Sequence, residues 1–135
     1  ILKKFLLYRT YHGGAMSPPV QAASVAAWND EAHVRDNRRL YAEKFAKVTP
    51  LLARHLDTAL PDAGFYLWAR TPIDDARFAR ELLAQYNVTV LPGSYLARES
   101  GGVNPGAGFV RIALVAPLDE CLEAADRIAD FCHSL

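Results

Sequence analysis

Apolar positions recur with a helical period through the first half of the chain and with mixed periods in the second. Leu2, Phe5, Leu6 and Arg9 fall at i, i+3, i+4 and i+7, predicting an amphipathic helix over residues 1–11 that Gly13-Gly14 interrupt. Ser17 before Pro18 reads as a helix start: a side-chain acceptor at the cap, then a residue with no N–H to leave unbonded. The Ala-rich run Val20 to Trp28 predicts a short helix with little polar surface, expected to pack against something. Asn29-Asp30 then caps a long helix whose stripe runs Val34, Tyr41, Phe45, Val48, Leu52, Leu56. Pro50 lies within that stripe and is expected to kink the helix rather than end it.

Past Pro61-Asp62-Ala63-Gly64 the period changes. Residues 65–69 are aromatic, short and bounded by turn residues, hence a strand. Asp74-Asp75 opens a helix with Phe78, Leu82 and Leu83 inward, closing near Asn87. A brief strand over 88–91 runs into a loop at Pro92-Gly93-Ser94. A glycine-rich loop at 100–108 leads to a strand over 109–114. Pro117 starts the last helix, with Leu122, Ala125, Ile128 and Cys132 inward. This order predicts an α/β fold, an α+β-like two-layer sandwich with a small sheet covered by helices. Residues 29–135 have the elements of a self-contained small domain. Residues 1–28 carry more apolar surface than two short helices bury between themselves, as if docked on a missing body. Residue 1 already sits inside a helical pattern without a cap, so the expectation is a piece of a longer polypeptide.

Fifteen basic against fifteen acidic residues give zero net charge, which argues against a dedicated nucleic-acid binder. No run approaches the ~18 apolar residues of a membrane span, and no signal-peptide pattern is present. Cys121 and Cys132 share one helical stripe with Ala125 and Ile128. Eleven residues of helix separate them, about 16 Å, which is too far for a disulfide. They read as small buried hydrophobes, and two unpaired thiols point to a cytoplasmic location.

Arg111 is the main candidate for chemistry. Alternation puts Val110, Ile112 and Leu114 on a core face and sends Arg111 to the other, with Phe109 and Ala113, just after the glycine-rich loop. A guanidinium there offers a planar fork to a carboxylate or phosphate. On alternation alone, the plainer reading is a solvated strand arginine. The glycine loop is not a phosphate cradle, because it leads into a strand rather than opening a helix. His12, His33, His55 and His133 show no metal-ligand spacing; His33 and His55 read as solvated on the long helix, and His12 as part of a loop beside Gly13-Gly14. Lys3, Lys4, Lys44 and Lys47 read as solvated helix faces. No serine or cysteine has a nucleophile's setting. The chain thus offers an anion receptor without a catalytic group.

Several segments, in order and spacing, carry a resemblance: residues 6–21 (LLYRTYHGGAMSPPVQ), 61–68 (PDAGFYLW), 90–94 (VLPGS) and 109–114 (FVRIAL). Together they resemble the C-terminal third of the class I/II, fold type I, pyridoxal-phosphate aminotransferases, closest to the bacterial succinyldiaminopimelate aminotransferase group. The resemblance covers essentially the whole chain. It implies that residues 1–28 are trailing helices of a large cofactor-binding domain and residues 29–135 the C-terminal small domain. It implies that Arg111 grips the substrate α-carboxylate through a bidentate contact, fixing the Cα–H bond relative to the cofactor. Gly93 and Ser94 then match a loop near the substrate mouth. His12, Gly13 and Met16 match a stretch that crosses the homodimer interface and helps line the partner's active site.

The same resemblance places the Schiff-base lysine, the aspartate facing the pyridine nitrogen and most phosphate-binding groups upstream of Ile1. The implied parent moves an amino group between N-succinyl-diaminopimelate, or its keto acid, and 2-oxoglutarate or glutamate in lysine biosynthesis, with pyridoxal 5'-phosphate as cofactor. The stretch itself is then expected to be inactive and to hold the cofactor weakly or not at all. The competing expectation is a stand-alone α/β ligand-binding or regulatory module with an anion site at Arg111.

Overall fold

A computed structural model describes residues 1–135. The chain runs α1 (Leu2–His12), α2 (Pro18–Asn29), α3 (Ala32–Leu52), β1 (Tyr66–Arg70), α4 (Asp75–Tyr86), β2 (Leu91–Pro92), α5 (Gly93–Leu96), β3 (Phe109–Ala113) and α6 (Leu118–Ser134). It divides into two compact units, Ile1–Asn37 and Arg38–Leu135.

In the larger unit β3 is the middle of a three-stranded antiparallel sheet, in the order β1-β3-β2. Trp68 stands opposite Arg111 and Arg70 opposite Phe109, while Leu91 pairs Arg111 from the other side. Leu67, Ala69, Val110 and Ile112 are buried, so the two-residue period leaves Tyr66, Trp68, Arg70, Phe109 and Arg111 together on the opposite face. The outer edge of β1 is engaged near its end, where the Arg70 N–H donates to the Asp57 carbonyl and the Thr58 hydroxyl to the Trp68 carbonyl.

Helices cover only the first of these faces. Phe45, Val48 and Leu52 from α3, Phe78 and Leu82 from α4, and Cys121, Ala125, Ile128 and Phe131 from α6 form one apolar cluster with it. Phe78 and Phe131 meet edge to face, ring centroids 5.0 Å apart, at the centre of the α4–α6 contact. The predicted α/β two-layer sandwich is what the chain forms. Its caps follow local chemistry. Asp30 accepts from the Ala32 N–H at 3.0 Å, and Asp74 from the Arg77 N–H at 2.8 Å. Asn87 closes α4 in the left-handed region, with φ of 54°.

Several local expectations are corrected. The Ser17 side chain makes no cap bond, because Pro18 and Pro19 fill the first helical positions and remove an N–H that it would reach. The long helix ends at Leu52, two residues after Pro50, whose missing N–H removes a bond to the preceding turn; Leu56 is buried from a turn instead. Leu83 faces solvent, since the inward stripe of α4 runs through Asp75, Phe78 and Leu82. The strand expected over 88–91 is confined to Leu91–Pro92, and Gly93-Ser94 begin a one-turn helix rather than a loop. His12 is the last residue of α1, stacked on Tyr8, not a loop residue. His55 lies beyond α3, edge-on to His133. Lys44 is not a free solvated lysine; its ammonium donates to the Leu114 and Val115 carbonyls.

In the smaller unit, Leu2, Phe5, Leu6, Val25 and Trp28 are all exposed. No helix is long and apolar enough to cross a membrane.

Candidate functional site

Strand parity fixes where Arg111 points, and the residues around it decide what it can hold. It stands on the middle strand, half-buried on the face away from the helices. Its guanidinium carbon lies 5.5 Å from the centroid of the Tyr66 ring, a cation–aromatic contact that steadies the side chain without consuming a hydrogen bond. No carboxylate forms an ion pair with it. Its Nε is buried and has no hydrogen-bond partner. A buried, unpaired donor is costly unless something completes it. A guanidinium carries its N–H donors in a planar fork, adjacent pairs of which suit a carboxylate in bidentate fashion. The arrangement suits a planar oxyanion.

Next to it, aromatic side chains form a wall. Trp68 and Phe109 stack with centroids 5.6 Å apart, and the Arg70 guanidinium lies 4.4 Å over Phe109. The edge of the Trp68 ring reaches Gly93, where a Cβ would come within 2.8 Å of it. That contact puts the start of α5 beside the face carrying Arg111.

Gly93 is buried against Gly106, and the two backbones approach so closely that a Cβ on Gly93 would sit 2.3 Å from the Gly106 carbonyl oxygen. Only glycine fits on either side of this crossing. Hydrogen bonds surround it. The Ser94 N–H donates to one oxygen of Asp75 at 2.8 Å and the Gly108 N–H to the other at 3.3 Å. Asn104 donates to the Ser94 carbonyl and accepts from the Gly106 N–H, both at 2.9 Å. Asp75 is 2% exposed and has no cationic partner. Burial raises its pKa, while the hydrogen bonds from Ser94 and Gly108 lower it; the balance leaves it below the ordinary carboxylate value.

The structure therefore brings Arg111 together with the Gly93 neighbourhood through Trp68. His12, Gly13 and Met16 belong to the other unit, where all three are exposed; Gln21 holds the Met16 carbonyl at 2.7 Å. Sequence reasoning missed Tyr66, Asp75, Asn104 and Gly106. For Tyr66 the signal was present, since it shares strand parity with Trp68, which stands opposite Arg111.

The residues present do not make a site for pyridoxal 5'-phosphate. Of the four lysines, Lys3 and Lys4 stand on α1, Lys44 is held by two carbonyls and Lys47 pairs with Glu43. None stands on the sheet that carries Arg111, and the glycine loop feeds a strand rather than a helix N-terminus.

The family model for aminotransferase class I and II matches residues 6–128, nearly the whole chain. This chain belongs to that family. A probable aminotransferase of Mycobacterium tuberculosis is 36% identical over 95% of this chain and 29% of its own length. An LL-diaminopimelate aminotransferase of Maridesulfovibrio salexigens is 32% identical over 82% of this chain and 28% of its own. Among solved structures, an aminotransferase of Neisseria meningitidis superposes with a TM-score of 0.84 at 57% identity, covering 96% of this chain and 33% of that one. A probable N-succinyldiaminopimelate aminotransferase of Thermus thermophilus gives 0.63 at 39% identity, over 76% and 26%. The chain thus spans about three-tenths of the length of the curated aminotransferases it matches. The family is pyridoxal-phosphate-dependent.

Proposed function

We propose that this chain supplies the carboxylate grip of an aminotransferase, with Arg111 binding the α-carboxylate of amino-acid and keto-acid substrates. The observation that carries this reading is half-buried Arg111, with an unpaired Nε and no ion-paired carboxylate. Two parallel N–H donors hold a carboxylate in one plane and so orient the adjacent Cα, converting binding energy into alignment for the proton and amino transfer that follows. Residues 29–135 act as the small domain. Residues 1–28 trail from the large domain, which supplies the cofactor's lysine and phosphate contacts.

The finer reading is transfer of an amino group between N-succinyl-diaminopimelate, or its keto acid, and 2-oxoglutarate or glutamate, in a cytoplasmic homodimer. Relatives named for LL-diaminopimelate and N-succinyldiaminopimelate support that substrate class. Gly93 and Ser94 border the mouth, and His12, Gly13 and Met16 reach the partner's site to meet the substrate's distal end. Taken alone, this stretch does not transaminate, because no lysine stands beside Arg111.

The test is Arg111→Ala in the full-length enzyme, with kcat/KM measured for both the amino donor and the keto acid. Loss of a charge-assisted pair is expected to lower both by about a hundredfold. Unchanged values for both substrates overturn the assignment. Purifying residues 1–135 alone and finding transamination overturns the inactivity of the isolated stretch.

A further inference from the structure

The pairing of β2 with β3 is too slight to hold itself in place. It comprises two residue pairs, Leu91 with Arg111 and Pro92 with Val110, and Pro92 has no N–H to give the ladder. Yet Leu91 flanks Arg111 directly, so any slack between these strands is slack at the guanidinium. The connection is tied elsewhere. Ser94, three residues past Leu91, and Gly108, three residues before Arg111, both donate their N–H to the carboxylate of Asp75. Asn104 adds a second tie on the same stretch, bonding the Ser94 carbonyl and the Gly106 N–H. The Gly93–Gly106 contact lies between these bonds and has no side chain to fasten it.

We propose that Asp75, seconded by Asn104, is a positioning residue that fixes β2 and the start of β3 on either side of Arg111 and so sets the carboxylate grip. Asp75 reaches no substrate itself. Its buried, cation-free carboxylate is matched to two backbone donors, and an ionised oxygen accepting an N–H is a stronger tie than a neutral one. Replacing the acid by an amide keeps the volume but sets an NH2 group against one of the two N–H donors. One strand then loses its anchor while the hydrophobic layer stays intact.

This inference rests on Arg111 being the carboxylate site, and the experiment separates the two. In the full-length holoenzyme, Asp75→Asn, Asn104→Ala and Arg111→Ala are compared by KM for 2-oxoglutarate, kcat, and the inhibition constant of glutarate, an unreactive dicarboxylate. Asp75→Asn is expected to raise KM and the glutarate constant together by about tenfold, with kcat changed by less than about threefold. Asn104→Ala removes a less buried tie and is expected to move the same two constants in the same direction by a smaller factor. It also serves where Asp75→Asn does not fold. Glutarate binding at the wild-type constant in whichever of these two variants folds, or a fall in kcat with KM unmoved, overturns the positioning role. Glutarate binding unaffected by Arg111→Ala overturns the carboxylate reading itself.

Discussion

The Arg111 guanidinium lies over the ring of Tyr66, 5.5 Å from its centroid, and this is the contact that steadies it on the open sheet face. The ring's negative face attracts the cation while leaving its N–H groups free for a ligand. Tyr66→Phe keeps the ring and is expected to leave substrate KM near wild type in the full-length enzyme. Tyr66→Ala removes it, and a contact of this kind is worth about 0.5–1 kcal/mol at an exposed site, or a few-fold in KM. Steady-state kinetics of the two variants side by side measure the difference.

Gly93→Ala is expected to be among the most disruptive single-methyl changes in the chain. Its Cβ would meet the Gly106 carbonyl at 2.3 Å and the Phe109 carbonyl at 2.9 Å, both of them backbone. Relief requires the two segments to part, at a cost of about 1–3 kcal/mol by analogy with overpacked cores. Urea unfolding gives the shift in midpoint. Gly14→Ala, where a Cβ would meet nothing, is the matched control and is expected to be silent.

Stability should fall in acid partly through Asp75. Its pKa in the folded chain lies below the ordinary value of 3.8, because hydrogen bonds from Ser94 and Gly108 outweigh the cost of burial. The unfolded chain therefore binds the proton more readily. This contribution is full above the ordinary carboxylate value and is lost as pH drops through the folded one. Unfolding free energies measured from neutral pH down to about pH 3 are expected to show a shallower acid decline in Asp75→Asn than in wild type. Equal slopes remove Asp75 from the account.

Both thiols should be slow to react. Burial pushes Cys121 and Cys132 above their ordinary pKa, and only the thiolate is an effective nucleophile. Alkylation followed by mass spectrometry at pH 8 is expected to modify half-buried Cys132 before buried Cys121, and both promptly once the chain is unfolded. No disulfide should form between them within the folded chain.

Legibility in the sequence followed the range of the interaction. The face that Arg111 occupies was readable because strand alternation depends only on adjacent residues, and so was the centre of the α3 stripe at Phe45, Val48 and Leu52. On α6 Ala125 and Ile128 were read correctly, while buried Phe131 was missed and Leu122 and Cys132 are only partly buried. Leu83 was misplaced because a helix stripe narrows where Asp75 takes an inward position that a hydrophobic count does not credit. Asp75 itself reads locally as a first-turn acid of α4. Its actual partners lie 19 and 33 residues further along, at positions no spacing rule connects to it. The family resemblance supplied what alternation could not, the expectation that Arg111 binds a ligand rather than standing solvated. It did not supply the latch beneath it.

The sheet's two margins are blunted by different means. On one side β2 is two residues long and contains Pro92, which offers no donor to an incoming strand. On the other, the Trp68–Arg70 end of β1 is already occupied by Asp57 and Thr58. Neither margin therefore offers an incoming strand a full ladder of free N–H and C=O groups.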